Sequence, residues 1–138
     1  MRCASGANII VCKIEKGEQV LPALEKAIKR YAVKSGTVLW AVGMIEKAEI
    51  GYFQGPNYKK DSYRERMEVV SFHGSITENE PRLHIHIALA NSNHEVFGGH
   101  FFSGEANPLL EVQIQKLDLI TMRREKNMQS GLKELYIP

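Results

Sequence analysis

At 138 residues, with 43% hydrophobic and 25% charged side chains, the chain has the length and composition of one globular domain, expected to span residues 1–138. Its 18 basic and 16 acidic residues leave a net charge of +2, too balanced for charge alone to imply nucleic-acid binding. No run of about 18 apolar residues could cross a bilayer, and MRCASGANII lacks the apolar stretch of a secretory signal, so a cytoplasmic protein without a membrane partner is expected.

Cys3 and Cys12 lack the C-x-x-C spacing of a redox or zinc motif, and in a reducing compartment both read as buried thiols. NIIVCKI, residues 8–14, is short and rich in β-branched residues, as in a buried strand. From Glu18 to about Lys34 the period changes: Val20, Leu21, Leu24, Ala27, Ile28 and Tyr31 follow the spacing of an amphipathic helix. Pro22 fits only near its start, Lys29, Arg30 and Lys34 suit its C-terminal dipole, and Ser35-Gly36 supplies a stop.

Strand signals dominate the remainder. TVLWAVGMIEKAEIGYF reads as one long or two consecutive strands, with Gly43 and Gly51 as bulges or points of close approach. GPNYKKDS is the clearest loop, and YRERMEVVSFHGSI, RLHIHIALA, EVFGGHFFSG, LLEVQIQKL and LDLITMRRE form a series of strands separated by turn residues. The predicted fold is α/β in the α+β sense: one main helix packed on an antiparallel or mixed sheet, flat or curled.

Residues 83–100 hold the chain's most distinctive chemistry. Alternation puts Leu83, Ile85, Ile87 and Leu89 on one face of a strand and His84 and His86 on the other. If the polar segment NSNHE is a turn closed by Ala90 and Val96, His86 lies opposite His100. Directly opposed residues share a face with Cβ atoms about 4.5–5.5 Å apart, so the register would gather three imidazoles. As neutral donors they suit a divalent metal, zinc first, although other divalent ions are compatible. A solvent-facing histidine row is the alternative; His94, in the turn, and His73, after a separate strand, read as surface or satisfied polar residues.

These residues resemble the plant- and prokaryote-conserved (PPC) domain, also called the PD1-like DNA-binding or DUF296 family. The resemblance rests on GEQVLPALEKAIKR, SGTVLWAVGMIEKAEIGYF, ERMEVVSFHGSI, LHIHIALAN, VFGGHFFSGEA and LLEVQI, in that order over nearly the whole chain. It implies a single main helix against an antiparallel sheet, assembly as a homotrimer, and zinc bound by the H-x-H and G-G-H histidines, here His84, His86 and His100. The AT-hook that precedes the plant domain is missing here, so the family's DNA-binding label draws no support from a hook, a recognition helix or net charge. Arg66 and Glu68 match the family's Arg-aromatic-Glu stretch and are candidates for a partner contact, with Met67 in place of the ring.

Two functions follow as expectations. The first is a trimeric, metal-containing binding or regulatory module that contacts DNA or another protein, with Lys59, Lys60, Arg64 and Arg66, or Arg123, Arg124 and Lys126, as basic patches. The second is a small zinc-dependent hydrolase-like enzyme, in which Glu105 or Glu111 orients a metal-bound water or acts as base. A purely structural metal is a third possibility, less suited to a site with only three protein ligands. No substrate is named by the residues.

Overall fold

The computed structural model describes residues 1–138. In chain order its elements are β1 (Arg2–Gly6), β2 (Ile9–Glu15), α1 (Val20–Arg30), β3 (Gly36–Phe53), β4 (Tyr58–Tyr63), β5 (Met67–Ile76), β6 (Leu83–Ala90), β7 (Val96–Lys116), β8 (Arg123–Lys126) and β9 (Lys133–Tyr136). All strand pairings are antiparallel. Seven strands form one sheet in the order β1-β2-β7-β6-β5-β3-β4, and β8 with β9 forms a second. Because β7 also pairs with β3, strands β7, β6, β5 and β3 make a closed ring, which removes the exposed edges that a flat sheet of these strands would carry. The fold is mostly antiparallel β with one short helix.

The periodicities explain which faces are covered. In α1, Val20, Ala23, Leu24, Ala27 and Ile28 are buried at helical spacing, and Pro22 lies in the first turn, where its missing N–H costs no helical bond. The helix ends at Arg30, before the Ser35-Gly36 stop read from sequence. Ala32 adopts φ 50°, and the Ala32 and Val33 N–H groups donate to Lys29 and Ile28 carbonyls, a Schellman-type ending that turns Val33 into the core. Gly36 instead begins β3. Ile85, Ile87 and Leu89 of β6 join Phe72, Phe101, Ile45, Leu110 and Ile114 in one contiguous core. Each such side chain contributes about 1.5–3 kcal/mol by burial.

Several boundaries differ from the sequence reading. Most of the GPNYKKDS segment is strand β4: the connection is short, with Gln54 N–H donating to Asn57, and Lys59, Lys60 and Asp61 are exposed on a sheet-edge strand. Polar strands of this kind look like loops in sequence because neither face is buried, and edge lysines are a common guard against further pairing. EVFGGHFFSG and LLEVQIQKL are parts of one strand, β7, of 21 residues. Pro108 falls where β7 shifts register against β3, between the Ile45–Ala106 and Gly43–Leu110 pairs, so the ladder does not need its missing donor. Only the end of LDLITMRRE is extended, and β1 and β9 carry too little apolar alternation to announce themselves.

The cysteines also require a correction. Cys3 of β1 lies directly across from Cys12 of β2, Cα to Cα 4.1 Å, and the two form a disulfide rather than a pair of thiols. Ala7, at φ 50°, helps turn the short connection that sets this register.

Candidate metal centre

Local turn chemistry fixes the hairpin that carries the histidines. The Asn91 side-chain oxygen accepts from the Asn93 and Glu95 N–H groups at 2.9 and 3.0 Å, and His94 takes φ 64°, bringing Ala90 opposite Val96. The register then runs without a slip through Leu89–Phe97, Ala88–Gly98 and Ile87–Gly99 to His86–His100. Gly99 is needed for close approach, since a Cβ there would lie 2.6 Å from the Gly51 carbonyl oxygen of β3. On β6, His84 and His86 alternate with the core residues Ile85 and Ile87.

The imidazoles meet on one face. Ring centroids are 5.1 Å apart for His84–His86, 5.0 Å for His84–His100 and 5.8 Å for His86–His100. Their candidate ligand atoms lie within 4.8 Å of one another. Tyr58 and Phe102 flank His100 with centroids at 5.1 and 4.6 Å, and the Lys60 ammonium lies over the Phe102 ring. Buried His100 Nδ1 has no hydrogen-bond partner. Burial, reinforced by His84, His86 and Lys60, lowers the His100 pKa to about 4. Burial also lowers that of His84, with smaller contributions from Arg124 and His86. Both rings are therefore neutral at pH 7, the protonation state in which imidazole binds metal.

The other sequence candidates lie elsewhere. Glu105 accepts from Lys47 Nζ at 2.8 Å and Gln19 Nε2 at 2.9 Å, while Glu111 is exposed opposite Lys13 and Val42; neither joins the histidine group. Arg66 precedes β5 and Glu68 lies on it, both exposed, but Met67 between them is 1% exposed, so the aromatic position of the family stretch is here a core position. His73 is exposed on β5 directly opposite His86, with Nδ1 3.0 Å from Ser71 Oγ, and His94 is exposed in the turn. Arg123 and Lys126 are exposed, whereas Arg124 is 6% exposed and is therefore no part of a solvated basic patch.

A cleft of about 650 Å³ opens beside the cluster, lined by His84 and His100, by Tyr58 and Phe102, and by Arg124 and residues 132–135 of the C-terminal hairpin. Phe102, two residues beyond His100, could have been placed on its face from strand alternation. Tyr58 and Arg124 come from segments more than 20 residues away along the chain, and no local pattern connects them to the histidines.

Together the sheet and the cluster define a small antiparallel β domain with a three-histidine face. Residues 1–118 match the family model of the Plants and Prokaryotes Conserved (PCC) domain, and the chain belongs to that family. Among similar solved structures, a plant- and prokaryote-conserved protein from Pyrococcus horikoshii has TM-score 0.83 and 25% identity, covering 96% of this chain and 94% of its own. A protein from Bacteroides thetaiotaomicron, described as a candidate DNA-binding protein, has TM-score 0.90 and 22% identity over 98% of this chain and 96% of its own. A metal-containing protein from Archaeoglobus fulgidus has TM-score 0.85 and 24% identity, with coverage of 98% and 96%. No curated protein matches the chain.

Proposed function

We propose that the protein is a metal-binding module in which His84, His86 and His100 hold one divalent ion, zinc in preference to others, and that it works as a homotrimer contacting another macromolecule. The convergence of three imidazole donors within 4.8 Å carries this reading. The donor set fits such an ion: all three ligands are nitrogen, burial keeps two of the rings neutral, and His100 Nδ1 is a buried nitrogen with no partner within the chain. Similarity to a metal-containing protein adds support. Bound zinc would supply Lewis acidity and a fourth coordination position.

The protein's own residues favour binding over hydrolysis. Glu105, the nearer carboxylate in sequence, is held by Lys47 and Gln19, and the walls beside His100 are the rings of Tyr58 and Phe102. For self-association, the supporting feature is exposed apolar surface on either side of β7: Val11 of β2 and Trp40 and Val42 of β3 are 45%, 38% and 49% exposed, with Gln113 of β7 between Val11 and Trp40. DNA is the macromolecular partner suggested by relatives described as candidate DNA-binding proteins. On this chain it would rely on exposed Lys59, Arg64 and Arg66, because Lys60 is paired with Glu49 at 2.9 Å. Cytoplasmic residence is part of the same reading, and the Cys3–Cys12 disulfide runs counter to it, since reducing compartments keep thiols reduced.

Elemental analysis of tag-free protein, beside a variant with His84, His86 and His100 all changed to Ala, tests the centre. Near-stoichiometric zinc that is lost in the folded variant is the expected result. Wild-type protein that neither retains zinc nor takes it up on reconstitution would overturn the reading.

A further inference from the structure

Arg124 is a buried charge that the metal centre leaves unused. It lines the cleft beside the histidines yet is only 6% exposed, and none of the chain's ion pairs includes it. Its Nη2 donates to Ser75 Oγ at 2.6 Å, while Nε is buried without a partner. A guanidinium removed from water without a carboxylate is costly.

The fold nevertheless holds it firmly in place. The Arg124 N–H donates to Asn79 Oδ1 at 2.7 Å and its carbonyl accepts from Asn79 Nδ2 at 2.9 Å, so one side chain grips both backbone groups of this residue. Two residues earlier, the Met122 N–H donates to Ser35 Oγ at 2.9 Å and its carbonyl accepts from Glu78 N–H at 2.9 Å. The Asn79 and Ser35 contacts fasten the start of the C-terminal hairpin to the body.

The charge is not neutralised from within the cleft. Glu134 is the one carboxylate among its lining residues, and its oxygens accept from Ser130 Oγ at 2.6 Å and Asn127 Nδ2 at 2.8 Å. Lys133, also at the lining, adds a second positive charge and donates to the Glu80 carbonyl at 3.1 Å. Much of the remaining wall is apolar, including Leu21, Leu83, Phe101, Leu132 and Leu135.

We propose that this cleft binds a small organic acid, its carboxylate paired with Arg124 and its hydrocarbon or aromatic body lying against Leu83, Leu132 and Leu135. A guanidinium makes charge-assisted hydrogen bonds to a carboxylate; with Nε sealed off and Nη2 shared with Ser75, these would come from the terminal nitrogens, and the apolar walls suit a ligand with few other polar groups. The assignment extends beyond the metal reading and does not depend on it, because Arg124 and the apolar walls are contributed whether or not the histidines hold an ion.

Titration of hexanoate and of benzoate into chelator-treated protein, followed by amide and arginine side-chain NMR, tests the site. Saturable shifts at Arg124 and at residues 132–135 are expected, with hexanamide and benzamide binding at least about tenfold more weakly. R124Q should weaken acid binding by a similar factor; if that variant fails to fold, the acid-to-amide comparison on wild-type protein decides alone. Equal binding of acid and amide, or no saturable shift in the millimolar range, would overturn the proposal. So would acid binding seen only after zinc loading, since the anion would then belong to the metal. Protein that takes up no zinc but still binds hexanoate selectively would leave this site standing while refuting the metal reading.

Discussion

His100 concentrates the site's energetics at the scale of a residue. Burial is the main reason its pKa lies at about 4 rather than 6.5, and the folded metal-free protein therefore keeps it neutral where the unfolded chain would protonate it. The sign follows from proton linkage: stability present above about pH 6.5 is lost as pH falls toward 4, because the unfolded state then binds more protons. Thermal melts of chelated protein across this range should show the decline, and the His100 ring signals should titrate near pH 4; a midpoint near 6.5 would contradict the buried environment. The disulfide has an equally direct test. Intact mass under non-reducing conditions should be lower by two hydrogens than after reduction, and neither Cys3 nor Cys12 should alkylate before reduction.

The β6–β7 hairpin carries all three clustered histidines, and its precision depends on backbone contact with a third strand. A methyl group at Gly99 would meet the Gly51 carbonyl at 2.6 Å, so Gly99→Ala must push β7 from β3. We expect a loss of about 1–3 kcal/mol in urea unfolding, together with weaker zinc binding, because His100 is the next residue. Metal removal should be felt through the same element. If zinc binds the folded chain alone, free zinc at a hundred times its dissociation constant stabilises by about 2.7 kcal/mol, or on the order of 10 °C in melting temperature for a domain of this size. Differential scanning calorimetry with zinc and with chelator measures that difference, and the triple-histidine variant should lose it.

At the scale of the whole molecule, the exposed apolar side chains on either side of β7 bear on assembly. Trp40, Val42 and Val11 face away from a core already filled by Val38, Ala41, Ile10 and Cys12. Their burial between copies of the chain would provide the apolar centre that homo-oligomer interfaces usually have. If the proposed trimer forms, sedimentation equilibrium should give three chains per particle, and Trp40→Asp should shift it toward monomer without changing the zinc uptake measured for wild-type protein. Association with a DNA duplex, if carried by Lys59, Arg64 and Arg66, should fall steeply from 50 to 200 mM salt and more weakly after their replacement. Binding insensitive to salt would argue against a phosphate contact.

Alternation along β6 and the polar turn were enough to place His86 opposite His100, because local geometry sets a hairpin's register. The helical period of α1 and the core-facing strands were readable from local pattern as well: one face of each had to be apolar. What a residue meets across the fold is not a local property. Closure of the sheet through β3 and β7, the pairing of Cys3 with Cys12, the strand character of the polar β4 edge, and the approach of Tyr58 and Arg124 to the histidines join distant segments or strands with no buried face. The sequence by itself therefore determined the helix, the core-facing strands and the histidine register, each a matter of local periodicity. Only the tertiary structure decided which distant side chains stand beside that register, because packing, not periodicity, brings them there.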